Sequence, residues 1–382
     1  MDDAHTFFLK NMIKLSFLNF DSMHAKCRFD MQAAFQKVYN SNWFIQGREL
    51  EEFERSYSNL NSIKYTVGVS NGLDALVLSL RVLGVGVGDE VIVPSNTYIA
   101  TALAVSQVGA KPVFVEPDLN TYNINPLLIE DAITPKTKAI MPVHLYGQAC
   151  EMGIIVAIAK KHGLYIIEDN AQAHLSSFNG KFTGTFGQVN GTSFYPGKNL
   201  GALGDAGAIT TDNEDLANRL RILRNYGSAK KYFNDEIGYN NRLDELQAAF
   251  LSVKLKYIEQ WTNERREIAS WYNELLSDVE GLILPKCHTL SDHVYHLYVV
   301  RTQQRSELQE KLLQNGVQTM IHYPVPPHLQ KAYDYLGHKE GDFPIAEEIA
   351  NTCLSLPIWP GMKKSDVEYI SNNIRSFFKC RQ

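Results

Sequence analysis

From residue 65 the chain alternates short apolar runs with longer helical patterns. Residues 65–69, 90–93, 112–115, 139–143 and 164–167 read as strands, and 73–83, 99–108 and 152–162 read as helices between several of them. Strands alternating with helices of about 10–15 residues imply crossover units and a mainly parallel sheet. The strands are apolar throughout and bounded by turn residues, as expected when helices cover both faces of a sheet. Upstream, residues 13–60 open with an extended piece, and then Phe29, Met31, Ala34, Phe35 and Val38 recur at helix spacing. Downstream, Leu243, Leu246, Phe250, Val253, Tyr257 and Trp261 form one apolar stripe, which reads as a single long helix over 243–276. That helix would join a large domain, 1–256, to a smaller one, 257–382, with strand-like runs at 294–300 and 317–323.

At 382 residues the chain is long enough to bury a large core. Its formal net charge of −5 argues against a general nucleic-acid binder, which needs a basic face. Five dispersed cysteines without a CxxC pair read as reduced thiols in the cytoplasm and give no zinc site; no metal is expected. No run of about 20 apolar residues is present, so no membrane partner is expected. Residues 1–11 read as a possible extension.

The candidate chemistry is concentrated in residues 164–207. Asp169 closes the apolar run at 164–167, so its carboxylate belongs at the carboxyl edge of the sheet. Lys198 follows a second short strand at 192–195, in a glycine-rich loop. Open α/β sheets bind ligands at that edge. An amine and a carboxylate delivered there suit pyridoxal phosphate: the lysine bonds the aldehyde carbon, and the aspartate keeps the ring nitrogen protonated so that the ring accepts electrons. A capping aspartate and a solvated lysine are the alternative. Gly72, at the turn from strand into helix, opens a helix whose first N–H groups can hold a phosphate, although an ordinary tight turn has the same wording. Tyr98, after the next strand, is either a stacking platform or a core residue. His144 and His174 read as structural histidines.

The wording around these residues resembles the DegT/DnrJ/EryC1/StrS nucleotide-sugar aminotransferases. It is carried by the segments 168–174 (Glu-Asp-Asn-Ala-Gln-Ala-His), 193–201 (Ser-Phe-Tyr-Pro-Gly-Lys-Asn-Leu-Gly), 204–208 and 238–244 (Gly-Tyr-Asn-Asn-Arg-Leu-Asp). The resemblance runs from about residue 13 to near the C-terminus. It implies fold type I: a large, mainly parallel sheet domain with a smaller α/β C-terminal domain. It also implies backbone contacts to the cofactor phosphate from Gly72 and Leu73, with the Ser193 hydroxyl beside them. Tyr98 would stack on the ring, Gln172 would meet its phenolic oxygen, and Asn240 would reach the phosphate of the neighbouring subunit, making a homodimer with shared active sites. Tyr195, His322, Lys230 and Lys231 are the substrate candidates. The residues present at 71–76, 94–106, 109–118, 121–124 and 143–148 are most similar to the branch acting at C3 of dTDP-linked 3-keto-6-deoxyhexoses, with L-glutamate as donor and 2-oxoglutarate as by-product. The resemblance implies products that enter surface polysaccharides such as O-antigen lipopolysaccharide, or glycosylated metabolites. Amination at C4 and a non-catalytic regulatory role are the competing readings.

Overall fold

Apolar strands and the helices between them make one seven-stranded sheet in the computed structural model, which describes residues 13–379. The possible extension at 1–11 and Cys380 lie outside the described residues. The first helices are α1 (Asp21–Ser41) and α2 (Arg48–Asn61). Then come β1 (Tyr65–Val69), α3 (Gly72–Val82), β2 (Glu90–Pro94), α4 (Ile99–Gln107), β3 (Lys111–Val115), β4 (Thr137–Ile140), α5 (Met152–His162) and β5 (Tyr165–Asp169). A small hairpin, β6 (Ser177–Phe178) and β7 (Lys181–Phe182), leads to β8 (Val189–Ser193), β9 (Gly207–Thr211) and α6 (Glu214–Leu223). The sheet order is β1-β9-β8-β5-β4-β2-β3; β9 runs antiparallel to both its neighbours and every other pairing is parallel.

Side chains alternate between the two faces of this sheet, and both faces are buried. Val91, Val93, Ala139 and Ile167 enter a core with α3, α4 and α6. Ile92, Ile140 and Ile166 enter a second one with Ile155 and Ile158 of α5. A sheet covered this way leaves one open place for polar groups, the carboxyl ends of its strands. There α3 and α4 begin, directly after β1 and β2.

The rest of the chain is α7 (Glu245–Leu255), α8 (Ile258–Leu276), β10 (Ser291–Asp292), β11 (Tyr298–Arg301), α9 (Arg305–Gln314), α10 (Pro344–Thr352), β12 (Cys353–Leu356) and α11 (Lys364–Lys379). Its core gathers Tyr272, Leu276, Tyr298, Leu308, Leu354, Ile370 and Ile374, with Leu15 and Leu18 packed against it. β11 and β12 pair antiparallel.

Three local expectations are corrected. The stripe over 243–276 is carried by two helices, because the last turn of α7 tightens: Lys256 and Tyr257 donate to carbonyls three residues back, Val253 and Lys254. The N-cap of α7 is Asp244, whose Oδ1 accepts from Gln247 N at 2.8 Å. The run at 294–300 becomes strand only at Tyr298, since Val294 N and Leu297 N are used by Gly147 O and Tyr146 O. Residues 317–323 hold only isolated bridges, Leu15 with Val317 and Met320 with Ser355. In α1 the helix forms as expected, but it buries Met23, Cys27 and Val38, while Phe29 is 82% exposed. In residues 43–50 the Glu245 carboxylate takes the N–H groups of Gly47, Glu49 and Leu50 at 2.7, 2.9 and 3.2 Å and so caps α2, while Trp43, Phe44 and Ile45 stay exposed.

Candidate active site

Asp169 is the last residue of β5 and 6% exposed. Its Oδ2 accepts from Thr101 Oγ1 at 2.8 Å and its Oδ1 from Ala171 N at 3.2 Å. Burial pushes its carboxyl up; the Thr101 bond, the Ala171 N–H and the Lys198 charge act against that. Among the described residues it has no ion-pair contact. A buried carboxylate without a contacting cation is costly unless one arrives.

Lys198 lies in the loop after β8, where its N–H donates to Tyr195 O at 2.8 Å. Burial brings its amine down to about 8, and Asp169 holds it partly up. It is therefore a part-neutral amine at physiological pH, in reach of the Asp169 field. Three imidazoles share its surroundings. Burial, and after it the Lys198 charge, lowers His174 to about 3, His322 to about 4 and His296 well below its ordinary value. All three stay neutral beside the amine. His322 also sits 2.8 Å from Ser355 Oγ through Nδ1, and its carbonyl accepts the Tyr146 hydroxyl.

The start of α3 faces Ser193, the last residue of β8. A methyl group on Gly72 would lie 2.6 Å from Ser193 Cβ, so only glycine lets helix and strand come this close. Asn71 caps the helix, its Oδ1 accepting from Asp74 N at 2.9 Å. The N–H groups of Gly72 and Leu73 in the first turn have no intrahelical acceptor. Ser193 Oγ accepts from Tyr195 N at 3.2 Å, which leaves its own proton free to donate.

Gln172 spends its carbonyl on Tyr146 N at 2.7 Å and donates to the Tyr323 hydroxyl at 3.0 Å. Tyr98 is 53% exposed, with its ring 5.2 Å from that of Tyr323. Tyr195 is 59% exposed at the mouth of the lysine loop.

Lys198, Asp169 and His322 are thus brought together, and Gly72, Leu73 and Ser193 meet at the neighbouring strand end. Lys230, Lys231 and Asn240 are not brought to them within one chain. The two lysines lie on an exposed loop, over the rings of Phe233 and Tyr232 at 5.1 Å each, and Asn240 is exposed in a bridge with Asn225. Arg242 donates to Asn225 Oδ1 at 3.1 Å and lies over the Tyr226 ring, and among the described residues it has no ion pair. His144 is structural: Nδ1 takes Cys150 N–H at 3.0 Å and Nε2 meets Glu168 at 2.8 Å. His174 is buried with both ring nitrogens unpartnered.

Sequence reading passed over Thr101 and Tyr323. Thr101 stands three residues after Tyr98 at the start of α4, and that spacing puts it on the same sheet edge. Tyr323 had no local signal, because the contact with Gln172 spans 151 positions.

The residues present fit pyridoxal phosphate. Asp169 lacks the cation that a protonated ring nitrogen provides, Lys198 is an amine of lowered basicity, and two backbone N–H groups with a hydroxyl suit a phosphate. Among the described residues, no cluster of His, Cys, Asp or Glu could hold a metal ion, and no helix is long and apolar enough to cross a membrane.

Residues 26–375 match the DegT/DnrJ/EryC1/StrS aminotransferase family. A dTDP-3-amino-3,6-dideoxy-alpha-D-galactopyranose transaminase from Aneurinibacillus thermoaerophilus is 51% identical over 363 residues, 95% of this chain and 99% of that protein. The crystal structure of S. venezuelae DesV in complex with a ketimine intermediate superposes with a TM-score of 0.94 at 44% identity, covering 96% of this chain and 99% of the other. NtdA from Bacillus subtilis with bound cofactor PMP gives 0.86 at 32% identity, over 97% of this chain and 84% of the other.

Proposed function

The chain belongs to the DegT/DnrJ/EryC1/StrS aminotransferase family, and from that premise we propose that it moves an amino group from L-glutamate to the C3 ketone of a dTDP-linked 3-keto-6-deoxyhexose. It is a sugar aminotransferase with pyridoxal 5'-phosphate as cofactor. The product is a dTDP-3-amino-3,6-dideoxyhexose for deoxysugar biosynthesis, of the kind that supplies surface polysaccharides. The observation that carries the reading is a buried carboxylate without a contacting cation, Asp169, with the buried amine of Lys198 within its field at the sheet edge.

When bound, the cofactor supplies an electron sink for the carbon that loses or gains a proton. Asp169 holds the ring nitrogen in its protonated form, and Thr101 keeps that carboxylate aimed and ionised. Gly72, Leu73 and Ser193 hold the phosphate, Tyr98 covers one ring face, and Gln172 donates its remaining N–H toward the phenolic oxygen. Lys198, released as a free amine, takes the proton from Cα of glutamate in the first half-reaction and returns one to sugar C3 in the reverse sense in the second. An amine near pH neutrality in basicity suits both directions. The neutral state of His174, His296 and His322 keeps further positive charge away from it. His322 and Tyr195 face the sugar.

The active unit is a homodimer in which Asn240 completes the partner's phosphate site and Lys230 and Lys231 meet the nucleotide diphosphate. Two features support this. All three residues are exposed and away from their own chain's site, and Phe29, Tyr39 and Trp43 leave 82%, 60% and 62% of their surfaces uncovered. The four described cysteines are free thiols, in keeping with a cytoplasmic enzyme.

The test is product position. The enzyme is given glutamate and either a 3-keto or a 4-keto dTDP-6-deoxyhexose, and the amino sugar is read by NMR. Amine at C3 supports the reading. Turnover of the 4-keto sugar alone would replace it with C4 amination, and turnover of neither would point to a regulatory protein.

A further inference from the structure

Lys254 is a lysine in the wrong kind of place. It lies on α7 and is 2% exposed. Its ammonium makes one hydrogen bond, to Gly201 O at 2.6 Å, and no carboxylate is within ion-pair distance among the described residues. Burial brings its amine down to about 8. After burial, its charge is the next influence on His24 and Cys27 of α1, which packs along α7. An isolated buried ammonium disfavours the fold, so a lysine kept there directs attention to its one contact.

Gly201 ends the loop that carries Lys198. The loop leaves β8 at Phe194 and returns at Ala202, whose N–H donates to Phe194 O at 2.8 Å. It doubles back so tightly that a Cβ on Gly201 would fall 2.2 Å from Pro196 O. Inside this neck, Asn199 donates to Val294 O at 3.2 Å, and Leu200 is fully buried beside Phe53 and Leu251. Asn199 Oδ1 also lies 3.3 Å from His296 Nδ1, and just past the loop Leu203 N donates to Gln247 Oε1 of α7 at 2.8 Å; Lys254 is the charged tie, and it acts on the closing residue itself.

We infer that Lys254 is a positioning residue for Lys198: through Gly201 O its buried ammonium fixes the closing end of the loop, and so the direction from which the Lys198 amine enters the site. The inference rests on the reading of Lys198 as the cofactor-bonding amine. It makes the loop answer to the α1–α7 layer as well as to the sheet. A shift of about 1 Å at a reacting group costs up to about a hundredfold in rate, so a single hydrogen bond at the end of a short loop is sufficient to matter.

The test uses the full-length protein loaded with pyridoxal phosphate. Borohydride fixes the lysine–cofactor bond, and peptide mass mapping reports how much of Lys198 is labelled. Lys254→Met should bind the cofactor yet label Lys198 at least about tenfold more slowly, with kcat lowered and KM for glutamate unchanged. Lys254→Arg, which keeps a donor, should recover most of both. If Lys254→Met does not fold, Lys254→Gln, a bond too short to reach Gly201, is read by the same labelling. Wild-type labelling in a folded Met or Gln variant overturns the inference and leaves the neck and Leu200 as sufficient. Wild-type protein that is not labelled at Lys198 overturns the reading of Lys198 itself, and this inference with it.

Discussion

Thr101 Oγ1 donates to Asp169 Oδ2 at 2.8 Å, joining the first turn of α4 to the last residue of β5 inside the buried edge of the sheet. The bond offsets part of the burial that pushes the Asp169 carboxyl up. Hydrogen bonds to charged groups contribute about 1.5–3 kcal/mol, so Asp169→Asn should lower kcat about tenfold to a hundredfold or more. Thr101→Val should cost less in the same direction. Steady-state kinetics of both variants, with circular dichroism to verify the fold, check this; an Asp169→Asn enzyme of full activity would remove the carboxylate from the account.

Gly72→Ala tests the phosphate cradle. The new methyl would sit 2.6 Å from Ser193 Cβ, so α3 must retreat from β8. Overpacking of this kind costs about 1–3 kcal/mol. The variant should melt lower and bind pyridoxal phosphate more weakly, while Gly86→Ala, whose new methyl would meet nothing nearer than Val108 O at 3.6 Å, serves as a control away from the site. Titration of the cofactor into both proteins checks the difference.

Lys198 gives a pH signature to the cofactor-free protein. Its folded amine titrates at about 8, below the ordinary 10.5 that holds in the unfolded chain. Between those values the unfolded chain binds more protons, so this group makes stability rise with pH; below about 8 both states are protonated and its contribution is level. Lys254, also near 8, acts in the same sense. The melting temperature of Lys198→Met should therefore climb less from pH 8 to 10 than that of the parent. The rate of cofactor capture should rise with a midpoint near 8, and a midpoint near the ordinary lysine value would contradict the buried amine.

The proposed sharing of sites between subunits predicts complementation. Lys198→Ala and Asn240→Ala proteins should each be weak, but refolded together they form hybrids with one intact site. Random pairing makes half the dimers hybrid, so about a quarter of wild-type activity should return. No recovery, with dimers verified by sedimentation, would place Asn240 in its own chain's chemistry or in none.

The fold was legible where pattern and burial agree. The runs at 65–69 and 90–93 became β1 and β2, because strands apolar on both faces have few other fates in an alternating chain. Asp169 could be placed because it closes such a run. What escaped is whatever depends on distant partners. Phe29 and Phe35 recur at helix spacing in α1, yet both stay exposed while Met23 and Cys27 are buried; helix periodicity locates a stripe but cannot say which stripe has a neighbour. The break at Lys256 leaves the apolar stripe intact, so it gives no periodic signal. Lys254 reads as an ordinary helix lysine until Gly201 O is found against it, 53 positions away in the chain.

The most direct test is an absorbance titration of the purified, cofactor-loaded protein with L-glutamate, followed by a dTDP-linked 3-keto-6-deoxyhexose. The account predicts that glutamate bleaches the yellow band of the lysine-bound cofactor with one 2-oxoglutarate released per site, that the 3-keto sugar restores it, and that Lys198→Ala does neither. A band indifferent to glutamate, or a Lys198→Ala protein that cycles like the parent, would contradict it.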